Sequence, residues 1–284
     1  MNFTAAESSA CLSLVGLALA EDLGDAGDRT STALIPANQP GSARFVARTP
    51  GVIAGLPAAA MVCVAVDPTL TFTPAIPDGS AVERGTIVAT ISGRLRSILA
   101  AERTALNFLQ RLSGVASLTR KYVELSAGYP AKILDTRKTT PGWRLLEKYA
   151  VRAGGGTNHR IGLYDGVLIK DNHLAGLNGD VRGAVDFARA ANPGLPIEVE
   201  VDTLAQLDMA LAADADIVLL DNMTSDQMRE AVARRGSAKT LLEASGGVNL
   251  TTVRDIAATG VDRISIGALT HSATALDIAL DYGT

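Results

Sequence analysis

From residue 131 onward, short apolar runs end one after another in polar or glycine clusters. Residues 131–134 run into Asp135, Thr136, Arg137 and Lys138, and the runs 166–170, 197–202, 216–221, 240–245 and 263–267 repeat the design. Between them, apolar positions recur at helical spacing over 143–151, 181–191, 204–211, 225–234, 250–258 and 269–280. Near-continuous Val, Ile and Leu strands that alternate with amphipathic helices predict a parallel sheet covered on both faces. Six such units suggest an open, incomplete α/β barrel. The loops after its strands then share one mouth.

The first part of the chain follows another rhythm. Residues 8–23 have helical spacing and stop at Gly24, and a polar turn over 25–32 follows. Residues 43–46 and 52–54 read as a hairpin around Thr49-Pro50-Gly51, and Pro57 opens a short helix to about residue 65. Residues 78–93 alternate β-branched positions with turn glycines, in the manner of a hammerhead or lipoyl-carrier module. A carrier needs a lysine at a hairpin tip, and residues 41–93 contain none, so a β-layer covering a neighbouring domain is expected. From Arg96 the period lengthens, with Leu99, Ala100, Leu106, Leu109 and Leu112 in one stripe, and Ser113-Gly114 reads as a break before a second helix to about 126. The expected domains are an α/β sandwich over 1–112 and the barrel over 113–270, with 271–284 as a closing helix.

Composition narrows the classes of function. A chain of 284 residues with 47% hydrophobic content has ample material for a buried core. A net charge of -4 and 4% aromatic residues argue against nucleic acid as a partner. No apolar run approaches the ~20 residues of a membrane span, so a cytoplasmic protein is expected. The run 11–20 is not a secretory leader, because Glu7 precedes it and no Lys or Arg does. Cys11 and Cys63 have no CxxC spacing and read as small buried hydrophobes in a reducing compartment.

At the mouth, Arg137, Lys138 and Lys170 are cationic, while Glu200, Asp202 and Asp221 are anionic. Ser245-Gly246-Gly247 and Gly267-Ala268 are small enough for backbone N–H groups to approach a phosphate. Carboxylates beside such a site suit a divalent cation or sugar hydroxyls. The segment 154–160 adds His159 and Arg160, and Arg144, Lys148 and Arg152 share one helical face, either solvated or anion-binding. Guanidinium forks in this number suit a multiply charged anion.

The run Glu102-Arg103-Thr104 through Gly114, then Asp135–Gly142, Asn158-His159-Arg160, Ile169–His173 and Glu198–Val201 resembles quinolinate phosphoribosyltransferase, the carboxylating nicotinate-nucleotide pyrophosphorylase. So do Leu219–Asn222, Glu243–Gly247 and Ile266–Ser272, in the same order. The resemblance implies a type II phosphoribosyltransferase fold, with a closing helix packed back toward the sandwich. It implies decarboxylating transfer from phosphoribosyl pyrophosphate to quinolinate in NAD biosynthesis, with Mg2+, in a homodimer of shared active sites.

By that likeness Arg103, donated by the neighbouring subunit, joins Arg137, His159, Arg160 and Lys170 on the quinolinate dianion. Lys138, Glu200, Asp221, Ser245, Gly246, Gly247 and Gly267 fall to the phosphoribosyl donor, with Asp171 and His271 in secondary places. Thr136, Ile266 and Ala268 lie in the same motifs and join the substrate-binding set. Lys138, Lys170, Glu200 and Asp221 are the catalytic group, and Glu200 and Asp221 the magnesium ligands, directly or through the sugar phosphate. His159 is expected to donate a hydrogen bond rather than act as a base. Two alternatives remain: a molybdate-transport-associated relative of similar domains, and a barrel aldolase with Lys170 as Schiff-base amine.

Overall fold

The computed structural model describes residues 1–283. The chain divides into two compact units, one made of residues 1–120, 139–155 and those from 269 on, the other of residues 121–138 and 156–268.

The first unit opens with α1 (Ala5–Leu23), nucleated by a capping box in which Thr4 Oγ1 accepts from the Glu7 amide at 3.3 Å and Glu7 Oε2 from the Thr4 amide at 2.7 Å. The expected polar turn contains α2 (Arg29–Leu34), started by Asp28, whose side chain accepts from the Ser31 amide at 2.9 Å. Strands β1 (Pro40–Ala47) and β2 (Gly51–Val52) follow, then α3 (Leu56–Val66), β3 (Thr71–Pro74), β4 (Ala81–Val82) and β5 (Ile87–Arg94). The expected hairpin does not form. β1 pairs with β5, whereas β2 leaves that sheet to pair with β4, because Thr49-Pro50-Gly51 moves the chain from one sheet to the other.

Helix α4 (Leu95–Leu125) runs unbroken through the break expected at Ser113-Gly114. Gly114 does not interrupt the helix; a Cβ there would sit 2.2 Å from the Thr274 carbonyl oxygen, so glycine is what lets the returning chain cross α4. Ser113 Oγ likewise serves a neighbour, accepting from the Ala54 amide at 3.0 Å and donating to its carbonyl at 3.1 Å.

The C-terminal segment is the second correction. In place of a closing helix, β12 (Ile278–Tyr282) joins the edge of an antiparallel sheet ordered β12-β1-β5-β3. Ile278 and Leu280 turn inward while Asp281 pairs with Arg48, the period of a strand and not of a helix. Helix α5 (Arg144–Ala153) also belongs to this unit, with Trp143 stacked on Phe108 at 4.8 Å between ring centroids.

The second unit is a parallel sheet of β6 (Lys132–Leu134), β7 (Val167–Ile169), β8 (Ile197–Val201), β9 (Ile217–Asp221), β10 (Leu241–Ser245) and β11 (Arg263–Ser265), ordered β6-β11-β10-β9-β8-β7. Helices α6 (Asp171–Ala175), α7 (Val181–Ala191), α8 (Leu204–Ala212), α9 (Ser225–Arg235) and α10 (Val253–Ala257) make the crossovers, and the short α11 (Ala268–His271) follows β11. Capping boxes at Thr203–Gln206 and Thr224–Gln227 mark where two of the strand loops turn into helix.

Strands β6 and β7 are consecutive in sequence yet occupy opposite edges, so the barrel stays open between them. The extended segment 156–160 runs along the open edge of β6. Thr157 bridges Leu134, its amide donating to the Ile133 carbonyl at 2.8 Å. This segment brings His159 and Arg160 to the sheet.

Candidate active site

Asp135 does structural rather than chemical service. Fully buried at the end of β6, it accepts from the His159 amide at 2.9 Å and from Asn158 Nδ2 at 2.5 Å, fixing the edge segment against its strand. Beside it opens a cavity of about 330 Å³ lined by Thr136, Arg137, Lys138, His159, Arg160, Leu168 and Lys170. Four of these side chains are lysine or arginine, a fifth is histidine, and none is acidic. Burial, and then the charge of Arg137, lower the Arg160 pKa, as expected of two guanidinium groups held close together in a partly dry site.

The ends of the next strands carry the donor-type residues. Lys170 Nζ donates to Glu200 Oε2 at 2.8 Å, from β7 to β8. Asp221 ends β9 and is level with Ser245 at the end of β10. Gly246 follows with φ of +91°, and a Cβ on it would lie 2.2 Å from Asn222 Oδ1, so only glycine fits this turn. Gly247 also has positive φ, at +61°. The Ile266 amide donates to the Leu134 carbonyl at 2.9 Å, which seats Gly267 and Ala268 at the same rim.

Other expected residues lie elsewhere. Asp171 is exposed at the first turn of α6, bonded to the Asn172 amide, and Asp202 is exposed before α8. His173 Nδ1 accepts from the Lys170 amide at 2.9 Å, a capping contact. Arg103 on α4 and His271 at the end of α11 are exposed residues of the first unit, so the unit that holds the cavity does not itself contain them. Arg144, Lys148 and Arg152 also belong to the first unit and form no solvated face. Lys148 is fully buried, Arg152 pairs with Glu7 at 2.5 Å, and Arg144 Nε donates to Thr139 Oγ1 at 3.1 Å. Thr140 of the first motif bonds buried Glu147 through its amide at 3.0 Å and its hydroxyl at 2.8 Å.

His159 is tied on both sides of its ring. Nδ1 accepts from the Arg160 amide at 2.8 Å. Nε2 lies 3.1 Å from Glu198 Oε2 and 3.3 Å from Glu243 Oε1, and Arg263 Nε lies 2.8 Å from the other oxygen of Glu243. Burial alone would lower the His159 pKa; the hydrogen bonds and charges of the two carboxylates outweigh it and raise it to about 9. The amide seated on Nδ1 works against a second proton, but Nε2 keeps its proton in either charge state. A histidine and two carboxylates this close also have the spacing of a metal site. Protonated Nε2 and the cation beside Glu243 instead make the cluster a buried ion-pair network.

Among known proteins, the chain matches the family description "Quinolinate phosphoribosyl transferase, C-terminal domain" over residues 115–281 and the corresponding N-terminal domain over residues 28–113. It is 45% identical over 279 residues to the nicotinate-nucleotide pyrophosphorylase (carboxylating) of Mycobacterium leprae, covering 97% of this chain and 98% of that protein. It is 43% identical to quinolinate phosphoribosyltransferase (decarboxylating) 1 of Nicotiana glauca, covering 95% and 82% respectively. The solved nicotinate-nucleotide pyrophosphorylase of Francisella tularensis superposes with a TM-score of 0.92 at 40% identity, over 97% of each chain.

Proposed function

The chain belongs to the quinolinate phosphoribosyl transferase family, and from that premise we propose that the basic cavity between β6 and β7 binds the quinolinate dianion beside a phosphoribosyl donor on the rim of β8–β11. Its activity is phosphoribosyl transfer to quinolinate with decarboxylation, giving nicotinate mononucleotide in NAD biosynthesis. One observation carries the proposal: Arg137, Lys138, Arg160 and Lys170 converge on a cavity whose lining has no acidic side chain.

Quinolinate offers two carboxylates, and Arg137 and Arg160 are forks suited to them. Lys170 is shared, because an incoming carboxylate competes with Glu200 for its ammonium group. That pairing also disfavours the Schiff-base alternative, which needs a free amine rather than an ammonium group committed to a carboxylate. The pyridine nitrogen is the nucleophile, so no protein nucleophile is required. As pyrophosphate leaves, positive charge builds at the anomeric carbon, and Glu200 and Asp221 stabilise it through the ribose. Lys138 and the turn at Gly246-Gly247 face the phosphates. Loss of carbon dioxide then leaves an electron pair beside the positively charged ring nitrogen; that pair takes up a proton from solvent to form the C–H of the product, while the cations keep the substrate aligned.

Two carboxylates at neighbouring strand ends, completed by phosphate oxygens, fit magnesium, which takes few protein ligands. Glu200 and Asp221 would hold it, and the ion would supply charge neutralisation for departing pyrophosphate. The proposed assembly is a homodimer in which Arg103 completes the partner's cavity. In support, Arg103 is exposed, and the neighbouring α4 residues Thr104, Asn107 and Phe108 line a cavity of mixed character with Leu14, Leu17, Trp143 and the acidic Glu21 and Asp22. Mixed Arg103→Ala and Glu200→Ala chains, each inactive alone, then regain activity on subunit exchange. No recovery after verified exchange contradicts the sharing.

The function is tested by incubating the protein with quinolinate, phosphoribosyl pyrophosphate and magnesium, with nicotinate in parallel. Nicotinate mononucleotide and carbon dioxide appear one to one, from quinolinate alone. A folded protein that binds the sugar phosphate but turns over neither acid would contradict the proposal and favour the molybdate-associated relative.

A further inference from the structure

Beneath the cavity, strands β8, β10 and β11 place charged residues inside the barrel where apolar ones are the norm. Glu198 is 3% exposed and Glu243 fully buried, and the burden of keeping two carboxylates there demands a return. Neither lines the basic cavity. Glu198 lines instead a second hollow at the start of the strands, together with Arg263, Ile217 and Gly166. His159 and Arg160 line both spaces, so they form the wall between them.

We propose that Glu198, backed by the Glu243–Arg263 pair, is a positioning residue that holds His159 and, through it, Arg160 in the geometry that receives quinolinate. The linkage is continuous. Arg263 Nε holds Glu243 at 2.8 Å, the two carboxylates bracket His159 Nε2 at 3.1 and 3.3 Å, and His159 Nδ1 holds the Arg160 amide at 2.8 Å. Arg160 Nη1 closes the arrangement by donating to the Gly166 carbonyl at 3.0 Å. A carboxylate on one imidazole nitrogen fixes the proton and the plane of the ring, hence the direction of the lone pair on the other. Without Glu198, Nε2 keeps only the more distant Glu243 at 3.3 Å, so the ring is held less firmly and its bond to the Arg160 amide weakens. Glu198 Oε1 has no hydrogen-bond partner among the described residues, so the side chain is committed to His159 through one oxygen alone.

The inference rests on the cavity being the quinolinate site, and the test separates the two. Quinolinate binding to the unaltered protein is measured first; no binding overturns the reading of the cavity itself. With binding established, Glu198→Ala raises the KM for quinolinate about 10- to 100-fold, the range for removing the partner of a site histidine, and leaves the KM for phosphoribosyl pyrophosphate within about twofold. Glu198→Gln keeps an acceptor for Nε2–H at nearly the same volume and returns the quinolinate KM to within about threefold of the original. Should the alanine chain not fold, the glutamine chain decides, since its quinolinate KM and its slowly exchanging His159 Nε2–H nitrogen-15 NMR signal are both retained. An unchanged quinolinate KM in Glu198→Ala, equal losses for both substrates, or a glutamine chain as impaired as the alanine one overturns the positioning role.

Discussion

Glu198 and Glu200 stand two residues apart on β8 and point to the same side of the sheet, yet their surroundings are opposite. Glu200 is at the open mouth, half-buried and paired with a lysine that is itself 45% exposed. Glu198 is inside, bracketing a histidine with Glu243 and Arg263. The mouth gathers four Lys and Arg side chains on a lining without a carboxylate, whereas inside Glu243 already faces Arg263 and both glutamates face His159. Binding capacity here therefore depends on depth along a strand more than on residue type.

The comparison is broken most severely from below. Glu243→Ala leaves Arg263 beside an empty place in a buried network, and removing one partner of such a pair costs about 3 kcal/mol or more. Denaturant unfolding should show that loss, whereas Lys138→Ala at the exposed mouth should leave stability within about 0.5 kcal/mol. Equal losses would erase the distinction between the layers.

Gly246→Ala acts at the rim. Positive φ and the 2.2 Å approach of Asn222 force the turn to move, so the KM for phosphoribosyl pyrophosphate should rise about tenfold or more with a smaller effect on the KM for quinolinate. Steady-state kinetics in each substrate checks this.

The smallest effect is on pH dependence. Against burial, the two carboxylates raise the His159 pKa from its ordinary 6.5 to about 9, so the folded chain binds the proton more tightly than the unfolded one wherever that proton displaces the Arg160 amide from Nδ1. That contribution is complete below pH 6.5 and disappears as pH rises through 9. Calorimetric melting should fall by a few degrees between these limits, and less so in His159→Phe. A flat profile would mean that the amide on Nδ1 keeps the ring neutral throughout.

The six strands and the mouth they form were legible because each strand is a short apolar run closed by polar residues. Those runs are as the sheet has them, to within a residue or two. The interior network was less legible, although its signal was present: two glutamates at spacing two on a strand share a face, and only one can be at the mouth. Arg263 gave no such hint, because at the start of a strand a basic residue reads as solvated. Gly114 misled for a physical reason, since a helix glycine can serve a crossing chain as well as a break. The last segment misled because its leucines and alanines satisfy a helical period, and the alternation that marks β12 lasts only from Ile278 to Tyr282. Arg144, Lys148 and Arg152 looked like one charged face, but pairing with residues distant in sequence, as between Arg152 and Glu7, is invisible to spacing.

The most direct measurement of the account is titration calorimetry of quinolinate into the unaltered protein and into Arg137→Ala, with melting temperatures recorded for both. The account predicts measurable binding to the first, a loss of about a thousandfold or more in the second, as for removal of a charge partner in a desolvated site, and matching melting temperatures. Equal affinity in the two chains would contradict it and remove the dianion from the cavity between β6 and β7.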